Sequence, residues 1–392
     1  FSSLAQVNLD SLWNVWNDIT QPDTSRLKAM KEIVWDGYLY TQPDSAFYFG
    51  QLQYDLAERT GHKKWMASAL NVQGKSFYEK NDYDLALSYY RKSLKINEEI
   101  GDKRRIANSY NNIGLIYRKQ GNYEKALEYF LKSLAIKKEL GDKKGMGASY
   151  NTIGVIYQEK GNYDKAISYY KKSLKIKEET GSTLNNIGLI YQGQGNYDEA
   201  FSYFKRSLKL FEKTGHKYGI ASALNNIGMV FDDKGNADKA LNYHKKSLKV
   251  REEIGDKIGI AGSLTNIGVI YDEKGNYEEG LNYYKKSLKI YKEIDHKRGM
   301  TVSLNNIGQI YKDQDNFKEA IIYLLDALSI SKEINALHYV EHQSKVLYGV
   351  YKELGNTDKA LELYELYIST KDTLAKQDAM EEGIRLEEKR KY

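Results

Sequence analysis

A forty-residue stretch, Gly121 to Lys160 (GNYEKALEYFLKSLAIKKELGDKKGMGASYNTIGVIYQEK), recurs in near-copies from about residue 64 to about residue 370, and nothing else in the chain constrains the fold as much. The turn landmark G-N-Y, or a relative of it, stands at Asn81, Gly121, Gly161, Gly195, Gly235, Gly275, Asp315 and Gly355, with successive spacings of 40, 40, 34, 40, 40, 40 and 40. Eight units follow. A unit this short cannot bury its own apolar face, so the core must lie in interfaces between stacked neighbours.

Each unit reads as two helices. Tyr123, Ala126, Leu127, Phe130 and Leu134 fall on one face at helical spacing. Asn122 is placed to cap that helix and Glu124 to favour its positive end. Gly141 is placed to stop it in the left-handed conformation, and Asp142 to cap the next helix, whose stripe holds Tyr150, Ile153 and Val155 to Tyr157. Gly114, Gly154, Gly188, Gly228, Gly268 and Gly308 recur on one helix of the pair, and Ala126, Ala166, Ala200, Ala240 and Ala320 on the other. A mid-helix glycine costs about 1 kcal/mol against alanine. Its repetition implies close backbone approach.

The motif N-x-x-G-x-x-Y at Asn111, Gly114 and Tyr117, followed by Gly121, Tyr123, Ala126 and Phe130, resembles the tetratricopeptide repeat over residues 64 to 370. The resemblance implies an all-α fold, a right-handed superhelical solenoid of antiparallel helix pairs, with about nine hairpins and no sheet. Two features depart from the family pattern. The period is 40 where the usual repeat has about 34 residues, which lengthens the helices as in the long-repeat branch that binds peptides and protein tails. The family's proline at the end of the second helix is missing.

The ends and the middle differ from the repeats. FSSLAQ, Phe1 to Gln6, resembles the tail of a secretory signal peptide, the alternative being an ordinary terminus. Within segment 1–22, Leu9 to Ile19 is an amphipathic stretch suited to covering the first repeat, and residues 23–63 form a degenerate repeat. All four tryptophans, Trp13, Trp16, Trp35 and Trp65, lie here. Between Gly181 and Gly188 the chain is six residues shorter than between Gly141 and Gly154; either the repeat is truly short or residues are missing. Residues 371–392 read as a charged helix with a thin seam of Leu374, Met380, Ile384 and Leu386, leading to an absent segment. In the last repeat Tyr348 replaces the close-packing glycine, beside Gly349.

Chemistry is sparse. The chain has no cysteine, and Lys plus Arg exceed Asp plus Glu by 59 to 53. The basic runs KKSLK at 171–175, 245–249 and 285–289 read as a solvated helix face rather than a nucleic-acid stripe. Gly74 to Ser76 (G-K-S) lacks the upstream glycine of a phosphate loop. His338 and His342 share a helix face but lack a third metal ligand, and His62, His216 and His296 sit in turns. No cofactor or metal is expected, and catalysis, if any, lies outside this chain.

What remains is a surface. In the resemblance the first helix of each pair lines the concave side, where Asn112, Asn186, Asn226, Asn266 and Asn306 recur, interrupted by Thr152. A carboxamide offers both donor and acceptor, so such a row suits the main chain of an extended peptide, as related arrays use it; alternatively these side chains bond to neighbouring repeats. Leu115, Val155, Leu189, Met229, Val269 and Gln309 are the expected apolar and specificity positions, with Arg118, Gln158, Gln192, Asp232, Asp272 and Lys312 alongside. That second row runs from basic to acidic and back, matching a ligand with a basic middle.

The expected partner is a protein or extended peptide, with no nucleic acid and no membrane contact by this chain. Two roles fit: a peptide-binding sensor portion of a bacterial signalling protein, or a cytosolic adaptor with no attached output domain. The layout, with DSLWNVWND (Asp10 to Asp18) and QPDSA (Gln42 to Ala46) ahead of the array, resembles exported long-repeat regions that precede a membrane span and a cyclase, histidine kinase or helix-turn-helix output. An extracytoplasmic location follows from that likeness, with the cytoplasm as the alternative.

Overall fold

The computed structural model describes residues 2–176 and 180–390, with the side chains of residues 2–8, 381–382 and 384–390 left aside. Among the described residues every regular element is helical. Two compact units divide the chain, Phe1–Ile190 and Tyr191–Tyr392.

The first unit opens with α1 (Ser2–Asn17), then α2 (Asp23–Ile33), which runs into a π-helical turn, Val34–Tyr38, and α3 (Pro43–Arg59). Pro22 and Pro43 stand at the starts of α2 and α3, where a missing N–H is harmless. Met30, Ile33, Val34 and Leu39 are buried beneath Leu9, Leu12, Trp13 and Trp16 of α1, so the amphipathic opening does cover an exposed repeat face. Regular pairs follow: α4 (Lys63–Glu79) with α5 (Tyr83–Glu99), α6 (Lys103–Lys119) with α7 (Tyr123–Glu139), and α8 (Lys143–Glu159) with α9 (Tyr163–Ile176). The next helix, α10 (Gly181–Gly193), has 13 residues where its counterparts have 17. Residues 177–179, at the short interval, lie outside the described residues, as do Phe1 and the side chains of the signal-like opening.

The second unit repeats the pattern with α11 (Tyr197–Thr214), α12 (Lys217–Asp233), α13 (Ala237–Ile254), α14 (Lys257–Glu273), α15 (Tyr277–Glu293), α16 (Lys297–Asp313), α17 (Phe317–Glu333), α18 (Leu337–Glu353) and α19 (Thr357–Arg390). The boundary read at 370/371 falls inside α19, which continues without a break. Leu374 is buried there, whereas Met380 is 71% exposed, and the side chains of Ile384 and Leu386 lie outside the described residues.

Even-numbered helices from α4 to α18 are called A helices below, and their odd-numbered partners B helices. The pair closes because the A helix carries glycine where the B helix presents a ring. An ideal Cβ on Gly114 would meet Phe130 at 2.8 Å, on Gly154 would meet Tyr170 at 2.6 Å, and on Gly268 would meet Tyr284 at 2.7 Å. No real Cβ sits so close, so the alanine cannot be accommodated unless the ring shifts. Serine in the KKSLK runs has a structural cause: Ser173 Oγ donates to Gly147 O (2.7 Å), Ser247 Oγ to Ala221 O (2.9 Å) and Ser287 Oγ to Ala261 O (2.9 Å), clamping B onto A. The flanking lysines are exposed, as the sequence indicated.

Turns follow the expected chemistry. Asn122 Oδ1 accepts from Lys125 N and Asp142 Oδ1 from Gly145 N. Gly121 has φ 74°, and where glycine is absent Asn81 (φ 60°) and Asp315 (φ 56°) take its place, residues that tolerate the left-handed region.

Four of the junctions between repeats share a pairing of helix end with cap. Where the B helix ends on an aromatic ring, the next helix is capped by histidine: Phe211 lies 5.3 Å from His216 and Tyr291 5.1 Å from His296, and each imidazole Nδ1 accepts a backbone N–H at 3.0 Å, from Gly219 and Gly299. Where it ends on a cation the cap is aspartate. Lys137 Nζ donates to Ser149 Oγ (2.9 Å) beside Asp142, and Arg251 Nη1 donates to Gly259 O (2.7 Å) beside Asp256. All four large residues face a glycine three places after the cap, namely Gly145, Gly219, Gly259 and Gly299. Where the smaller Asn97 stands, the third place after the cap is Arg105, and Asn97 Nδ2 donates to Ser109 Oγ (3.3 Å).

Candidate functional site

On each A helix the residues between the buried positions form a second, half-buried face. Within the first unit it runs across α4, α6, α8 and the start of α10. Asn112 Nδ2 donates to Asn71 Oδ1 (2.7 Å), so this carboxamide spends one hydrogen on the preceding repeat. Thr152 turns back onto its own helix, donating to Ala148 O (3.1 Å), which explains the interruption. Arg118 grips Glu159 of α8 with two nitrogens, Nε and Nη2, at 3.0 and 2.6 Å, and this pairing holds the guanidinium above its usual pKa. Leu115 and Val155 are half-buried beside them, and Leu189 is exposed.

Sequence reasoning missed one contributor. Because Gly154 leaves a gap, Tyr170 of the B helix reaches through the pair, and its hydroxyl donates to Gln158 Oε1 (2.7 Å) and also meets Asn186. Burial pushes its pKa up, so it stays a neutral donor. The legible signal was a polar-tipped residue opposite a glycine: Tyr90, Tyr170, His244 and Tyr284 alternate with Phe130, Phe204 and Leu324 at this position.

Within the second unit the same face carries Gln192, Asn226, Asn266 and Asn306. Gln192 Nε2 donates to Asp233 Oδ2 (2.7 Å), and Asn266 Nδ2 to Asn225 Oδ1 (3.0 Å), so part of this row too is tied between repeats. Tyr284 comes through the gap at Gly268 to meet Asn306 and Asp272, its oxygen 3.5 Å from Asp272 Oδ2. His244 fills the equivalent space over Gly228, with Nδ1 3.2 Å from Asn225 Oδ1. Met229 is 38% exposed and Val269 half-buried.

The charges here are not balanced. Where Arg118 meets Glu159 in the first unit, the corresponding rungs of the second set Asp232 toward Glu273 and Asp272 toward Asp313. Burial first, then the facing carboxylate, pushes both aspartates above the ordinary carboxylate range. Further along, Lys312 pairs with Asp313 (3.3 Å), which also accepts from Gln309 Nε2 (2.8 Å).

Other candidates recede. Gly74 of G-K-S lies mid-helix against Tyr90, a packing glycine. Burial lowers the pKa of His342, and among the described residues no group of three or more metal-ligating side chains assembles. No helix among them is long and apolar enough to cross a membrane.

Tetratricopeptide repeat models match residues 105–179, 179–253 and 259–333, and a further one matches 67–100. No curated protein sequence matches the chain. Among solved structures, the apo form of the quorum sensor NprR from B. thuringiensis superposes with a TM-score of 0.59 at 15% identity, over 83% of this chain and 98% of that one. A signal transduction ATPase with a tetratricopeptide repeat sensor from Pyrococcus horikoshii gives 0.62 at 18% identity, over 97% of this chain and 54% of that one. Aspartyl phosphate phosphatase F from Bacillus subtilis gives 0.58 at 18%, over 84% and 94%. At these identities the likeness is one of fold. The family models, by contrast, cover well over half of the sequence with the motif residues in register, and the chain belongs to the tetratricopeptide repeat family.

Proposed function

We propose that the chain is a non-catalytic peptide-binding array that serves as the sensing portion of a signalling protein. In this reading the A-helix face of the second unit holds an extended segment of a partner carrying a lysine or arginine. The observation that carries it is the pair of half-buried aspartates, Asp232 and Asp272, each facing a more exposed carboxylate, Glu273 and Asp313, where Arg118 of the first unit faces Glu159. Such an arrangement costs stability in the free protein and is relieved by an incoming cation. Asn226 and Asn306 flank these rungs, with amide groups suited to a peptide main chain whatever its side chains. The sensing role is supported by two structural neighbours, a quorum sensor and a tetratricopeptide repeat sensor.

Selection of displayed random decapeptides on the full chain tests this. Peptides enriched in lysine or arginine are expected, and the double change Asp232→Asn, Asp272→Asn should weaken their binding by about tenfold. Enrichment of acidic or uncharged peptides, or equal affinity for both proteins, would sink the reading.

A further inference from the structure

In the first unit the π-helical turn at Val34–Tyr38 swings Trp35 over the A-helix face, where a cavity of about 140 Å³ opens among Trp35, Tyr40, Tyr78 and Tyr90. π-Helical turns are uncommon and cluster at functional positions. Leu115 closes one side, and the bonded amides of Asn71 and Asn112 stand at the rim. Lys75, at the position that is apolar in five of the later repeats, extends into the site. Its ammonium lies 4.3 Å from the Tyr78 ring centre and 5.8 Å from that of Tyr40, and is 2.5 Å from Glu79 Oε1.

We infer that this cavity is an anchor subsite for one neutral, phenyl- or leucine-sized side chain of an extended partner segment, an inference that rests on the peptide-binding reading above. Size sets the first limit: an apolar cavity of about 150 Å³ accepts a benzene ring. Charge sets the second. The one cation in the cavity lining, Lys75, is paired with Glu79 and lies over the Tyr78 ring, so an anion finds no unspent partner and a second cation would stand beside a like charge. What remains is ring surface, which a neutral apolar group covers best. The rim sets the third. The Asn112–Asn71 bond uses one hydrogen and one acceptor, and leaves a donor on Asn71 and an acceptor on Asn112 for the main chain that carries the anchored residue.

The test uses the full chain with two probes. In ¹⁹F NMR, 4-fluorotoluene should bind the unaltered protein, bind Tyr40→Ala about tenfold more weakly, and fail to bind Leu115→Trp, in which the indole fills the cavity. Tyr40 is 64% exposed, so its removal leaves folding intact even where the bulkier change perturbs it. Decapeptides selected on the Asp232→Asn, Asp272→Asn protein should carry Phe, Leu, Ile, Met or Trp at one fixed position, and that preference should vanish on Leu115→Trp. No fluorotoluene binding, or equal binding to the wild type and both variants, overturns the inference. Fluorotoluene binding without a fixed apolar position in any peptide overturns the peptide occupant. Absence of a basic preference among peptides selected on the unaltered protein, with the apolar position retained, counts against the acidic rungs and supports the cavity.

Discussion

At Gly268 a single missing methyl group decides how two helices meet. An ideal Cβ there would stand 2.7 Å from Tyr284 Cε1, so Gly268→Ala is expected to lose about 1–3 kcal/mol from overpacking, outweighing the roughly 1 kcal/mol that alanine gains in helix propensity. Gly349 is the control, since nothing lies within 4 Å of its ideal Cβ; Gly349→Ala should gain about 0.5–1 kcal/mol. Urea unfolding of both variants checks the pair, and a stabilised Gly268→Ala would show that the rings do not fill the gap. It also follows that Gly349 does not stand in for the glycine that Tyr348 replaces; Tyr348 instead meets Tyr364 at 5.1 Å. Residue identities at the groove were legible to the same degree. Asn112 and Asn266 take the second of the two readings open to them, bonding to Asn71 and Asn225 of the preceding repeats, residues 41 apart whose pairing the spacing alone does not fix.

Helix pairs, caps and turns were readable as elements because local chemistry specifies them: the 3.6-residue stripe, the Asn or Asp cap and the left-handed turn residue recur at fixed offsets. The π-helical turn was not, since VWDGY carries no distinguishing periodicity and its form is set by packing against α1 and α3. The α12/α13 pair differs from its neighbours in burying His244, 1% exposed, where the pairs on either side bury Phe204 and Tyr284. Burial and then Arg251 lower its pKa from 6.5 to about 4. With the folded value depressed, the unfolded chain binds the proton first as pH falls. The stability present above pH 6.5 is therefore lost progressively toward pH 4, by about 2–3 kcal/mol in all. Thermal melts at pH 7 and pH 4.5 should show this loss in the wild type and a smaller one in His244→Tyr, which adopts the residue of Tyr170 and Tyr284. An equal loss in both would assign the acid sensitivity elsewhere.

Across the molecule, ion pairs are of two kinds. Lys63–Glu99 and Lys103–Glu139 (2.9 Å each) and Lys217–Glu253 (2.8 Å) tie hairpin ends at the exposed surface, as do Lys80–Asp44 (2.6 Å) and Lys234–Asp198 (2.7 Å). Exposed pairs of this kind contribute little. Raising sodium chloride to about 1 M, where the screening length is about 3 Å, should move the urea midpoint by less than about 0.3 M while weakening a cationic peptide by about tenfold or more. A large shift in unfolding would show that the surface pairs hold the repeats together. The junction pairing has a different reach. Since a ring at the end of one repeat goes with histidine at the head of the next at two junctions, and a cation with aspartate at two others, these four junctions carry a mark that only certain successors match. Near-identical units are thus not interchangeable beads: cutting out α14 and α15 together with the Asp256 cap and inserting them after α11 would set Asp256 against Phe211 and bring His296 behind Arg251. At these four junctions the order of the repeats, and with it the order of the chemical groups along the A-helix face, is set by the joints rather than by the face itself.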